Sequence, residues 1–146
     1  MECHVRLATS RDAAAISRVV IAAMRESNSQ DYPPDVIAQV EQSFSPEAIT
    51  TQVTKRRVFV ALLGENIIGT AGLDGDVVRS VFVDPAHQKG GIGRHLMDVI
   101  HTTAASAGID VPSSITAERF YTALGYQKIR DEFQGAVRTI IMEKRL

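Results

Sequence analysis

Cysteine is almost missing from this chain: Cys3 is the single one among 146 residues. That excludes an internal disulfide and any cysteine-based metal cluster. Histidine is scarce too, and the four present are dispersed without an H-E-x-x-H or comparable spacing, so no metal is expected. A surplus of either charge is absent. The formal net charge is −1, which removes the broad basic footprint that nucleic-acid binding needs. Lys55-Arg56-Arg57 is the only basic run, and it reads as a solvated helix end. No stretch of about 18 apolar residues exists, and the N-terminus lacks a signal-peptide core. Neither a membrane partner nor export is therefore expected, and a cytoplasmic address is the default. Repeats, low-complexity tracts and linkers are also lacking. What remains is one globular domain over residues 1–146, with enough apolar residues (45%) for a real core.

The apolar residues recur with clear periods. Val5 to Leu7 reads as a short strand. Thr9-Ser10-Arg11-Asp12 is a helix start of capping-box type, and Ile16, Val19, Val20, Ala23 and Met24 follow at helical spacing, which predicts a helix from about Arg11 to Arg25. Ser27 to Pro34 reads as loop. Val36, Ile37, Val40 and Phe44 suggest a second helix, and Ser45-Pro46-Glu47 marks a new helix start. Val58 to Leu63 reads as a buried strand that turns at Gly64-Glu65-Asn66 into Ile67 to Leu73. Asp74-Gly75 is a primed-turn signal before a strand from Asp76 to Val83. A long helix is expected from about Gly91 to Ala107, with Gly108 just past its end. Ile109 to Val111 is a short strand, Thr116 opens a helix reaching Leu124 with Gly125 beyond it, and Tyr126 to Arg130 and Val137 to Glu143 are the last strands. The order β-α-α-β-β-β-α-β-α-β-β implies an α/β (α+β) fold, a mixed sheet with helices on both faces.

The most telling stretch runs from Val83 to Leu96. A β-branched and aromatic run, Val77, Val78, Val81, Phe82 and Val83, suits a strand. Gly90, Gly91 and Gly93 then form a turn, and Ile92, Leu96, Val99 and Ile100 recur at helical spacing. Glycine admits positive φ and close ligand approach, and the first N–H groups of a helix carry the positive end of its dipole. Together they make a phosphate site. Three glycine-rich templates compete for it. The P-loop fails because Arg94 and His95 follow Gly93 where lysine and a hydroxyl are needed. The dinucleotide fingerprint fails because position 96 is leucine and the turn lies past the middle of the chain. The pattern Q/R-x-x-G-x-G/A fits Gln88-Lys89-Gly90-Gly91-Ile92-Gly93 at every fixed position. A second motif stands downstream: Ala117-Glu118-Arg119-Phe120-Tyr121-Thr122-Ala123-Leu124-Gly125-Tyr126.

In these two segments, and in Val83-Asp84-Pro85, the chain resembles the GNAT-superfamily N-acetyltransferases. The resemblance spans most of the chain and implies a mostly antiparallel sheet of about six to seven strands, whose two central parallel strands splay to admit acetyl-CoA. It implies that backbone atoms from Gln88 through Lys89, Gly90, Gly91, Ile92 and Gly93 to Arg94 hold the pyrophosphate. Val81, Phe82 and Val83 would lie along the pantetheine arm, the main chain of Val81 and Val83 pairing with it. Arg94 or Lys89 would add a phosphate contact. Tyr121 is implied as the general acid beside the coenzyme sulfur. Ser114 stands where many relatives carry an asparagine that touches the coenzyme; Ser113 shares that role, and helix entry is the alternative for both. The position where relatives tend to carry an acidic base is Arg79 here, which points to an acidic group on the substrate or an unusual route. Asp76, Glu65 and Glu132 are fallback bases, and Tyr32 is a candidate for the acceptor pocket. The implied activity is acetyl transfer from acetyl-CoA to a primary amine of a small molecule or peptide by direct attack, in a monomer or a homodimer. A non-catalytic acyl-CoA-binding module of the same fold is the alternative.

Overall fold

The computed structural model describes residues 3–28, 33–88, 90–135 and 137–146. Among them the chain forms β1 (His4–Leu7), α1 (Ala13–Ala23), α2 (Pro34–Gln42), α3 (Pro46–Lys55), β2 (Arg57–Leu63), β3 (Asn66–Asp74), β4 (Val77–Val83), α4 (Ile92–Thr103), β5 (Gly108–Ser113), α5 (Glu118–Ala123), β6 (Gln127–Gln134) and β7 (Val137–Arg145). The seven strands make one sheet in the order β1-β2-β3-β4-β5-β7-β6. All neighbours are antiparallel except β4 and β5, which run parallel and share a single registered pair, Val77 with Asp110.

The unbroken apolar run of β2 is explained by helices on both faces of the sheet. Val58, Val60 and Leu62 pack with Ile16, Val20 and Met24 of the first helical segment and Ile49 of α3. Phe59 and Ala61 point the other way, into a second core with Leu96, Met97 and Ile100 of α4 and Tyr121 and Leu124 at α5. Period-two alternation in one strand thus divides the molecule into two cores.

Several sequence expectations need correction. Three α-helices precede β2 where the element order above has two; the third, α3, opens at the expected Ser45-Pro46 start, with Ser45 Oγ accepting from Ala48 N at 3.2 Å. The first helix begins with a 3-10 turn at Ser10–Asp12, where Asp12 Oδ2 accepts from Thr9 N at 2.8 Å. It stops being α-helical at Ala23 and passes into a π-turn, Met24–Asn28. The long helix ends at Thr103 rather than Ala107, and Gly108 is the first residue of β5 instead of a helix cap. Gly125 does end α5 in the left-handed region, at φ 96°. Among the described residues no helix is long and apolar enough to cross a membrane.

Candidate functional site

The β4–β5 pairing stops after one residue pair, so the C-terminal half of β4 borders a gap in the sheet. Asp84 N donates to Ile68 O of β3 at 2.8 Å. Backbone N–H groups alternate in direction along a strand, so the N–H of Val83 faces the gap. Upstream, Thr70 opposes Phe82 and Gly72 opposes Arg79, which leaves Ser80 and Val81 against Ala71 alone. This is a β-bulge, and it holds Ser80 at φ 59°, an uncommon conformation for a residue with a side chain.

Two clefts meet at this strand. The first, about 400 Å³, is lined by Val81, Val83, His87, Gln88, the turn from Gly91 to Arg94, and Phe120. The second, about 300 Å³, is walled by Met24, by Val36, Ile37 and Val40 of α2, and by Phe44, Phe82 and Val137. Val81, Ala117 and Tyr121 line both.

The floor of the first cleft is the start of α4. Asp84 Oδ1 accepts from Ala86 N at 2.9 Å and shapes the 3-10 turn Pro85–His87. Gln88 Nε2 donates to Val83 O at 3.2 Å and ties the turn back to the strand. Gly91 then adopts φ 78°, which glycine accepts without steric cost, and the helix begins. His95 N makes an early helical bond, to Gly91 O at 3.0 Å, so the amides before it are left for a ligand. At Gly93 an added Cβ would lie 3.1 Å from Phe120 Cζ. The two sequence motifs therefore touch, and a side chain at 93 would press on the ring of the other motif.

Tyr121 sits at the junction of the clefts and is 5% exposed. Phe120 and Tyr126 pack edge-on against it, with centroids 5.1 Å and 5.6 Å away. Burial, reinforced by the neighbouring Tyr126, pushes its phenol above the ordinary tyrosine range, so it holds its proton at neutral pH. Tyr126 in turn bonds His101 Nε2 through its hydroxyl at 2.8 Å, and burial of that imidazole lowers its pKa.

The expected residues divide clearly. Val81, Val83, Gln88, Gly91, Ile92, Gly93, Arg94 and Tyr121 come together around the first cleft. Gly90 faces a neighbouring open depression with His95 and Cys3. Phe82 turns into the second cleft, edge-on to Phe44 at 5.6 Å, rather than along the first. Ser114 also lines the second cleft, where its Oγ accepts from Ala117 N at 3.2 Å, the helix-entry alternative. Ser113 Oγ donates to Ser114 O. Arg79 lies exposed beside Asp74, 3.7 Å away, and lines neither cleft. Glu65 and Asp76 sit exposed in the β2–β3 and β3–β4 turns, and Glu132 pairs with Arg130 on β6. None of these three lines either cleft. Lys89 and Tyr32 lie outside the described residues. Sequence reasoning missed the Ser80 bulge and His87. The only signal for His87 was its place within the turn motif; its Nδ1 is buried without a hydrogen bond. Among the described residues no group of three or more His, Cys, Asp or Glu could hold a metal ion.

Residues 28–146 match the family model described as "Acetyltransferase (GNAT) domain". An uncharacterized N-acetyltransferase of Escherichia coli (strain K12), YafP, is 26% identical over 117 residues, which cover 78% of this chain and 74% of that protein. A GCN5-related N-acetyltransferase from Rhodopseudomonas palustris superposes with a TM-score of 0.92 at 19% identity, covering 100% of this chain and 97% of that one. The PaiA N-acetyltransferase from Thermoplasma acidophilum, solved in complex with coenzyme A, gives a TM-score of 0.84 at 16% identity with 100% of both chains covered. At these identities the solved structures speak for the fold.

Proposed function

This chain belongs to the GNAT acetyltransferase family, and from that premise we propose that it moves an acetyl group from acetyl-CoA to a primary amine, with Tyr121 as the acid. The observation that carries the reading is the meeting of two clefts at one buried phenol. One cleft has the features that a pyrophosphate and an extended thiol arm require: free amides at a helix start, a left-handed glycine and a strand edge with an N–H turned into a gap. The PaiA relative is solved with coenzyme A, which is consistent with that use.

The thioester supplies an activated acetyl group, so a C–N bond forms as the C–S bond breaks. The protein's part is to hold, orient and move a proton. The turn from Gln88 to Arg94 fixes the phosphates. The edge of β4 at Val83 aligns the arm. Tyr121 holds a proton at its hydroxyl throughout the neutral range and gives it to the departing sulfur. The proton shed by the amine nitrogen restores the phenol, so the charges balance. Ser114 supports this indirectly, by opening the segment that carries Tyr121. A non-catalytic module would use the first cleft alone and would have no need of a phenol shared with a second.

Thermal melting with acetyl-CoA, against ATP and NAD as controls, tests the premise. Ligand at ~100 times its dissociation constant stabilises by about 2.7 kcal/mol. At roughly 2–4 °C per kcal/mol, the shift should be about 5–10 °C with acetyl-CoA and near zero with the controls. No shift, or an equal one with ATP, overturns the assignment of the glycine turn.

A further inference from the structure

The second cleft specifies its occupant more narrowly than "an amine". Its walls are aliphatic and aromatic, from Met24 and α2 on one side to Phe44, Phe82 and Val137 on the other. The polar groups among its described lining are serines, Gln134 at the exposed end of β6, and Tyr121. Two of the serine hydroxyls are already engaged, Ser113 with a carbonyl and Ser114 with the Ala117 amide. Tyr121 is the one titratable group of that lining, and it stays neutral.

The carboxylates on the elements that build the cleft are placed elsewhere. Glu41 of α2 accepts from Nε and Nη2 of Arg25, at 2.8 and 3.1 Å. Asp131 of β6 is held by Lys128 and Arg138, and Glu132 by Arg130. Asp35 is exposed in the first turn of α2, Glu26 is in the π-turn, Glu118 on α5, Asp110 on β5 and Glu143 on β7, and none of the five lines the cleft. No described lysine or arginine lines the cleft either. Arg56 leaves Nη1 buried and unpartnered, but into a separate space of about 10 Å³ behind Phe44 and Ser80, large enough for about one water.

An ammonium ion entering such a cleft would lose its water and gain no counter-charge, and a carboxylate would fare the same. No described carboxylate or imidazole lines this cleft, and His87 lines the other one. We propose that the acceptor, on the acetyltransfer reading above, is a weakly basic amine on an apolar body, of the kind of a peptide or amino-amide α-amino group, without a free carboxylate or a second cation. It enters already neutral, and its own pKa rather than that of a protein base sets the acid limb of the reaction.

The test is a panel of four acceptors with the full chain and saturating acetyl-CoA. Phenylalaninamide represents the proposed class, with an amine near ~8; 4-phenylbutylamine keeps the apolar body but titrates near ~10; free phenylalanine adds a carboxylate; spermidine adds cations. At pH 7 phenylalaninamide should exceed the other three by about tenfold or more in kcat/KM. From pH 6 to 9 its rate should level off near its own pKa, while that of phenylbutylamine keeps rising about tenfold per pH unit. Levelling at one common pH for both amines would reveal a base on the protein and overturn the proposal. So would a preference for spermidine, or a preference for free phenylalanine that Arg56→Met abolishes. A melting shift with acetyl-CoA in the same preparation keeps the two readings apart: with the shift present, an inverted panel overturns the acceptor class alone, and without it both fall.

Discussion

At the scale of single residues, Tyr121 is the most constrained group in the site. It is walled by Phe120 and Tyr126, and its phenol is a weaker acid than usual because it is buried. Replacing it by phenylalanine leaves the ring and its edge-on contacts in place and removes one hydroxyl. Tyr121→Phe should therefore lower kcat by about a hundredfold, the usual reach of a positioned acid, with KM for acetyl-CoA within about twofold of the parent. Steady-state kinetics with one good acceptor decides it, and unchanged kcat would remove the hydroxyl from the chemistry. The residues around it were legible in sequence to differing degrees. The glycine turn was readable because positive φ and helix-start amides are local demands on neighbouring residues. Arg79 was singled out by its distance in sequence from Val83, matched to where relatives tend to carry an acid, and that distance does not say which way the side chain faces. The bulge at Ser80 and Val81 inserts an extra residue and shifts what lies upstream. That bulge depends on pairing with β3, ten residues away in sequence, and Ser80 itself carries no sign of its φ.

At the scale of elements, the second cleft owes one wall to α2, a nine-residue helix with a single buried side chain, Ile37. Such a helix has little packing to hold it and leans on its connections. Arg25, in the π-turn that ends the first helical segment, grips Glu41 with two guanidinium nitrogens. π-turns recur at functional sites, and this one also carries Met24 into the cleft. An exposed pair of this kind is screened by solvent and contributes little by itself. Arg25→Ala should thus raise KM for the acceptor by roughly 1.5- to 5-fold. Acetyl-CoA binding, which uses the turn at the start of α4 on the other core, should not change. Equal changes in both constants would mean that α2 does not act as a wall specific to the second cleft. The elements were largely predictable because their apolar periods are strong and Ser45-Pro46 and Asp74-Gly75 are explicit punctuation. The π-turn and the early stop of α4 were not. Neither carries an explicit stop signal: no glycine or proline stands at either helix end.

At the scale of the whole molecule, the sheet is two ladders joined by one pair, Val77 with Asp110, and sealed by the core under α4 and α5. The splay was expected through family resemblance alone, since nothing in the period of β4 or β5 specifies where their pairing ends, and the order of strands across the sheet was not read from the sequence at all. A sheet opened in this way exposes backbone groups that an extended ligand can pair with, as an added strand would. Hydrogen exchange separates that pairing from general stabilisation. Phe82 N–H points toward β3 and Val83 N–H toward the gap, by the alternation fixed at Asp84. If acetyl-CoA lies along β4, exchange at Val83 should slow more than at Phe82, by up to about a hundredfold with ligand at ~100 times its dissociation constant. Equal protection of the two amides would mean that the ligand tightens the fold without pairing with the strand. The gap would then be a space for side-chain contact, and anchorage would rest on the glycine turn.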